Sequence, residues 1–349
     1  MRGRGPWFWI AGLLLLAIAG GGLGALLWVP LSPPSSPTPA SVQAPVQAPP
    51  AEPAALDIPL RTAAIAAIDT RRGTDPALFR LDVDPAILVL DFPDLHTQAL
   101  MLNRVAALIE KADMPRERVV TEAELDAHVR AAGEDPDQYY YGHDYRAADL
   151  ARFFRLAESQ GMPLNPYETW LRDLLNREGW LQDGAVGALI SIPGLSADID
   201  AAARTTILRH ELSHAVYFTD PAYVTLTRHL WNDLLTDNER AAIRKFLGED
   251  GYDVTNEDLM ANEGQAYMIH TRDPRYFTPA VIGMGPAREA VLRGNFIAAI
   301  PEPWLRDSAL AVSAAAPPVS AGTSSAPEHP SRDVHHGGEG RQSPRSAPP

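Results

Sequence analysis

The chain has 349 residues, 46% of them hydrophobic and 21% charged, a balance that supports a sizeable globular core. Its formal net charge of −14 argues against a nucleic-acid partner, because neutralising phosphates takes clustered Lys and Arg. Cysteine is absent, so disulfides, thiolate-bound metals and thiol nucleophiles are excluded; a metal would have to be held by His and carboxylates.

After MRGRGP comes WFWIAGLLLLAIAGGGLGALLWV, residues 7–29, which are 23 residues without a charge. At about 1.5 Å per residue this run crosses a hydrocarbon core of about 30 Å. Trp7, Trp9 and Trp28 sit at its ends, where interfacial aromatics belong. Arg2 and Arg4 precede it, which places the N-terminus in the cytoplasm and the body outside. The sequence therefore predicts a single-pass inner-membrane protein with a periplasmic or extracytoplasmic body. The competing reading is a signal peptide cut near the AlaIleAla at 17–19, which leaves the body in the same compartment.

Residues 30–54 are a Pro/Ala/Ser tract that reads as a stiff polyproline spacer, and 312–349 read as a disordered tail. His329, His335 and His336 in that tail are expected to be solvated and inert. The folded body is then 56–311, with a helical upper part to 185 and a second part from 186. AILVLDF at 86–92 predicts a buried strand. Helices follow at 96–112, at 121–133 behind a Thr121/Glu124 capping box, at 146–161, and at 165–179 with Pro166 in the first turn. GALISIP at 187–193 predicts a second strand, 197–218 a long helix, and 222–235, 236–247, 255–271 and 286–298 further helices. The fold class expected is α+β, mainly helical, with a small sheet.

The long helix carries RHELSHAVYF, residues 209–218. Residues four apart stack on one helix face, so His210 and His214 project side by side, as two imidazoles binding one zinc must. Glu211 lies about 100° round the helix, where its carboxylate reaches a water at the metal without ligating the metal. Ile207, Leu208, Leu212, Ala215, Val216 and Phe218 surround these polar residues. Burying two histidines and a glutamate without a partner is costly, and a metal removes that cost. The preceding strand, GALISIP, is expected to be an edge on which an extended substrate could lie.

A catalytic zinc needs three protein ligands and an open position. Three carboxylates downstream are candidates: Glu263 in ANEGQAYMIH, Glu257 near the start of the same helix, and Asp220 just past His214. Thr255 is a plausible cap for the helix that carries Glu263. Asp220 falls where one class of zinc peptidases has its last ligand, but Tyr217 occupies the glycine position that lets such a chain turn.

His210-Glu211-x-x-His214 followed by Asn262-Glu263-x-x-Ala266 resembles the gluzincin class of zinc metallopeptidases. The resemblance covers two short segments, about a sixth of the chain with their flanks. It implies a zincin-like catalytic domain with an active-site helix, His210, His214 and Glu263 as zinc ligands, and Glu211 as general base. Many gluzincins carry an aspartate four residues after the ligand glutamate, to orient a histidine; this chain has Tyr267 there. Tyr267 and His270 are expected to flank Glu263 on its helix and to be available to a tetrahedral intermediate. The aromatic run YYYGHDY at 139–145, with His143, is a second source of such a group.

The function expected is a zinc-dependent, membrane-anchored metallopeptidase, a hydrolase of extracytoplasmic proteins or peptides, including the peptide part of a cell-wall polymer. A zinc amidase or esterase is the neighbouring reading. A non-catalytic, metal-stabilised envelope protein is the contrasting one, although such a site calls for a fourth ligand and has no use for Glu211.

Overall fold

The apolar runs at the centre of the chain do become strands, and they recruit three more. The computed structural model describes residues 56–111, 114–249 and 251–311. The expected membrane anchor at 1–29, the linker at 30–54 and the tail from 312 lie outside them. Among the described residues no helix is long and apolar enough to cross a membrane. The strands are β1 (Leu60–Ala63), β2 (Ala77–Leu81), β3 (Ile87–Asp91), β4 (His143–Arg146) and β5 (Ala188–Ile192), in the order β1-β2-β3-β5-β4. β3 lies parallel to β5 and β1 to β2, while β2–β3 and β4–β5 are antiparallel. The sheet thus takes strands from both sides of residue 185. With the helices it gives the α+β architecture expected, mostly helical with a small mixed sheet.

β3 and β5 are buried at every position, which is why ILVLD and ALISI read as unbroken apolar runs rather than alternations. One sheet face, with Leu78, Leu88, Leu90 and Leu189, packs on α2 (Leu95–Ile109), α3 (Glu122–Ala131), α4 (Ala147–Ser159) and α5 (Pro166–Arg177). The Thr121/Glu124 capping box is present, and Asn165 and Glu168 form another at the start of α5. The other face, with Phe79, Val89, Ile190 and Ile192, packs on α6 (Ala201–Thr219). Around α6 gather α1 (Ile65–Thr70), α7 (Pro221–His229), α8 (Asp237–Glu249), α9 (Glu257–Gln265), α10 (Pro286–Ala299) and α11 (Pro303–Leu310).

Two features differ from the sequence expectation and both bear on the site. GALISIP is not an edge: β5 is flanked by β3 and β4, and the edge beside α6 is β4, drawn from the aromatic run at 139–145. The run hid a strand because its alternation is only four residues long, with His143 and Tyr145 buried and Asp144 and Arg146 less so. The expected helix over 255–271 is α9, capped by Asn256 rather than Thr255, followed by a π-helical turn at Ala266–His270. The wider turn changes which side chains share a face.

Candidate metal centre

α6 begins with Asp200, whose side chain accepts from the Ala203 amide at 2.8 Å. It runs for 19 residues without Gly or Pro, and ends where Asp220 accepts from the Ala222 amide and Pro221 opens α7. Within this straight element His210 and His214 face the same way, their Nε2 atoms 3.0 Å apart. Glu263 approaches from α9. Its Oε2 lies 3.7 Å from each Nε2. Zinc–donor bonds of about 2.0–2.1 Å in a tetrahedron separate donors by about 3.3–3.4 Å, so a triangle with these edges fits one small dication. All three residues are buried, and together they form a group that could hold a metal ion.

The chemistry of the donors agrees with their spacing. Burial pushes His210 down to about 3 and His214 to about 4, the latter opposed by Glu263, so both rings are neutral near pH 7. Thr271 Oγ1 donates to the Ala266 carbonyl at 3.1 Å, which leaves a lone pair for His210 Nδ1–H at 2.8 Å. That bond fixes the tautomer with a free electron pair on Nε2, facing the other ligands. The Tyr252 hydroxyl bonds the Glu263 carboxylate, while Glu263 Oε2, aimed between the rings, has no hydrogen-bond partner among the described residues. A buried carboxylate oxygen opposite two imidazole lone pairs is poorly placed without a cation and well placed with one.

Glu211 stands beside this triangle. Its carboxylate is seated against the backbone of Gly142, so closely that a Cβ there would lie 2.2 Å from Oε1. Burial, then the carboxylates of Glu263 and Glu110, push Glu211 well above the ordinary range. Asp144 of β4 points to the same side, with Oδ2 4.0 Å from His214 Nδ1. A small cleft opens over His210 and Glu211, walled by Tyr141, Gly142, Thr206, Ile207, Thr271 and Tyr276.

The other candidates fall elsewhere. Asp220 is spent on helix capping. Glu257 is paired with Arg244 at 2.6 Å and accepts from the Trp231 indole. Tyr267 packs edge-on against the His210 ring, with centroids 4.9 Å apart, and against Phe246 and Phe277. His270 bonds the Tyr223 hydroxyl at 3.0 Å, in a buried chain through Gln265 to Ser213. Neither Tyr267 nor His270 is among the residues lining the cleft, and both lie in the π-helical turn. His143 points to the opposite sheet face, against Tyr145 at 2.8 Å. Gly142, Asp144, Tyr252, Thr271 and Tyr276 were not singled out by sequence reasoning; the one signal for two of them was their place in YYYGHDY. No family model matches the chain, and neither a curated protein nor a solved structure does.

Proposed function

We propose that the chain is a zinc-dependent metallopeptidase of the gluzincin type, anchored in the membrane by residues 7–29 and cleaving extracytoplasmic proteins or peptides, including cell-wall peptides. The observation that carries this reading is the pairing of a three-donor group with a fourth residue that is not a donor. His210, His214 and Glu263 supply the donors, and Glu211 sits beside them on the cleft side. A zinc ion held there would polarise a scissile carbonyl and acidify water. Glu211 takes the proton of the attacking water and returns it to the leaving amine, so water and an amide give a carboxylate and an amine. Thr271 and Tyr252 hold His210 and Glu263 in place. Gly142 leaves room for the Glu211 carboxylate at the cleft.

The test is metal content and hydrolysis measured together on the purified full chain. Glu211→Gln is expected to keep one zinc per chain and lose at least about a hundredfold in peptide hydrolysis. Glu263→Ala is expected to lose the zinc. Hydrolysis that survives Glu211→Gln, or zinc that stays after Glu263→Ala, overturns the assignment.

A further inference from the structure

We propose that Gln265, Tyr223 and His270 are positioning residues for the metal group: their buried hydrogen-bond chain sets where Glu263 stands against His210 and His214. This rests on the metal-binding part of the reading above. On α7, Tyr223 Oη donates to Gln265 Oε1 at 2.7 Å. Gln265 is the last residue of α9, two past Glu263. From Nε2 it donates to Ser213 Oγ on α6 at 3.1 Å and to Asn262 Oδ1 at 3.4 Å. Ser213 Oγ donates in turn to the His210 carbonyl at 2.7 Å. The chain therefore ends between the two histidines, and its hub sits on the helix that carries the third donor.

Each proton in the chain has one place. Tyr223 gives its only proton to Gln265, so the 3.0 Å bond between Tyr223 and His270 is donated by His270 Nε2–H. Burial holds His270 well below the ordinary histidine value, so the ring is neutral near pH 7 and Nδ1 carries a lone pair. That Nδ1 is buried with no hydrogen-bond partner among the described residues. A phenylalanine would fill the same place without leaving a nitrogen unmet; what histidine adds is the bond to Tyr223. Apolar side chains could join these helices without the cost of burying polar groups. A directional polar chain adds a single arrangement, which apolar contacts do not impose. The metal group requires one: Glu263 comes from a different helix, with Oε2 3.7 Å from each histidine Nε2, so a slip of α9 along α6 lengthens one of those edges.

The experiment measures zinc and cobalt binding by the purified full chain in detergent near neutral pH, with urea unfolding of the metal-free protein followed separately. Tyr223→Phe and Gln265→Met keep the bulk and remove the bonds. Each is expected to weaken zinc binding by about tenfold to a hundredfold and to shift the visible bands of bound cobalt, which report the arrangement of its donors. His270→Phe is expected to behave as Tyr223→Phe does, and His270→Gln, which can donate in place of Nε2, to recover most of the affinity. Phe296→Leu removes the ring packed edge-on against Tyr223, with centroids 5.8 Å apart, and leaves every bond of the chain. It is expected to lower stability in urea while zinc affinity and the cobalt spectrum stay at wild-type values. Should Gln265→Met fail to fold, Tyr223→Phe decides alone. Wild-type affinity and an unchanged cobalt spectrum in Tyr223→Phe overturn the positioning role and leave the metal group standing. Changes of the same size in Phe296→Leu overturn it too, since any loss of packing would then move the donors. A wild type that binds neither zinc nor cobalt overturns the metal reading and the positioning role together.

Discussion

Gly142 and Glu211 meet so closely that the pair acts as one unit. Added at Gly142, a methyl group would lie 2.2 Å from one carboxylate oxygen and 2.8 Å from its carbon, well inside van der Waals contact. Gly142→Ala must therefore displace the carboxylate or the start of β4. On the peptidase reading proposed above, an error of about 1 Å in the position of Glu211 costs about a hundredfold in rate, so a fall of that order in kcat is expected. Zinc content should stay at the wild-type level, because Glu211 is not among the donors; loss of metal in Gly142→Ala would mean that the glycine shapes the ligand group itself. At this scale the sequence is readable where one helix supplies the geometry. His210, Glu211 and His214 follow from the helical period alone, and Glu263 from its motif. Thr271, Tyr252 and Gly142 touch their partners across long stretches of chain, and no spacing rule connects them.

Among the elements, α6 is held at its N-terminal half by a charge buried almost completely. Arg204 is 0% exposed and pairs with Asp91, 2% exposed, at the end of β3, at 3.0 Å. It also donates to the carbonyls of Ile68 and Asp69 in α1, and to that of Pro193 just after β5. One side chain thus joins the helix of His210 and His214 to two strands and the first helix. Removing one partner of a buried ion pair strands the other and typically costs about 3–5 kcal/mol. Arg71, also 3.0 Å from Asp91, compensates in part, so the lower end of that range is expected for Arg204→Ala in urea unfolding. A cost below about 1 kcal/mol would show that Arg71 alone satisfies Asp91. None of this is visible in the sequence, where Arg204 is one of two arginines in a helix of mixed composition. The long apolar runs and capped helices were readable because each carries its own periodicity and end signals. β1, β2 and β4 were not, because they lack the unbroken apolar run that marks β3 and β5 at a similar length. Tyr267 and His270 were placed on the assumption of about 3.6 residues per turn, whereas the backbone there is π-helical.

For the whole molecule, the net charge of −14 says little about where the negative charge is concentrated. Glu110, Asp144, Glu211 and Glu263 repel one another inside the fold and are all pushed upward, chiefly by burial. Glu110, at the end of α2, is raised to about 8 by burial, an effect that Lys111 opposes and Glu263 reinforces. Above about pH 4.5 the unfolded chain has released this proton while the folded one keeps it, so the folded state binds more protons and loses stability as pH rises towards 8. His143, His210 and His214 are lowered, and their contribution changes only below the ordinary histidine value of 6.5. Between about pH 6.5 and 8 the buried carboxylates act together with His96, which its hydrogen bond to Asp137 raises above the ordinary histidine value, and both contributions fall as pH rises. The metal-free protein is expected to lose stability across that window. Glu110→Gln should flatten the loss, gaining about 1–3 kcal/mol at pH 8, an amount discounted for the partial exposure of the side chain. Adding zinc at about a hundred times its Kd should stabilise the wild type by about 2.7 kcal/mol. Thermal unfolding of both proteins at pH 6.5 and 8, with chelator and with zinc, measures all three effects. A metal-free wild type that is as stable at pH 8 as at pH 6.5 would show that the carboxylates ionise without strain, and the argument that their burial calls for a cation would fall with it.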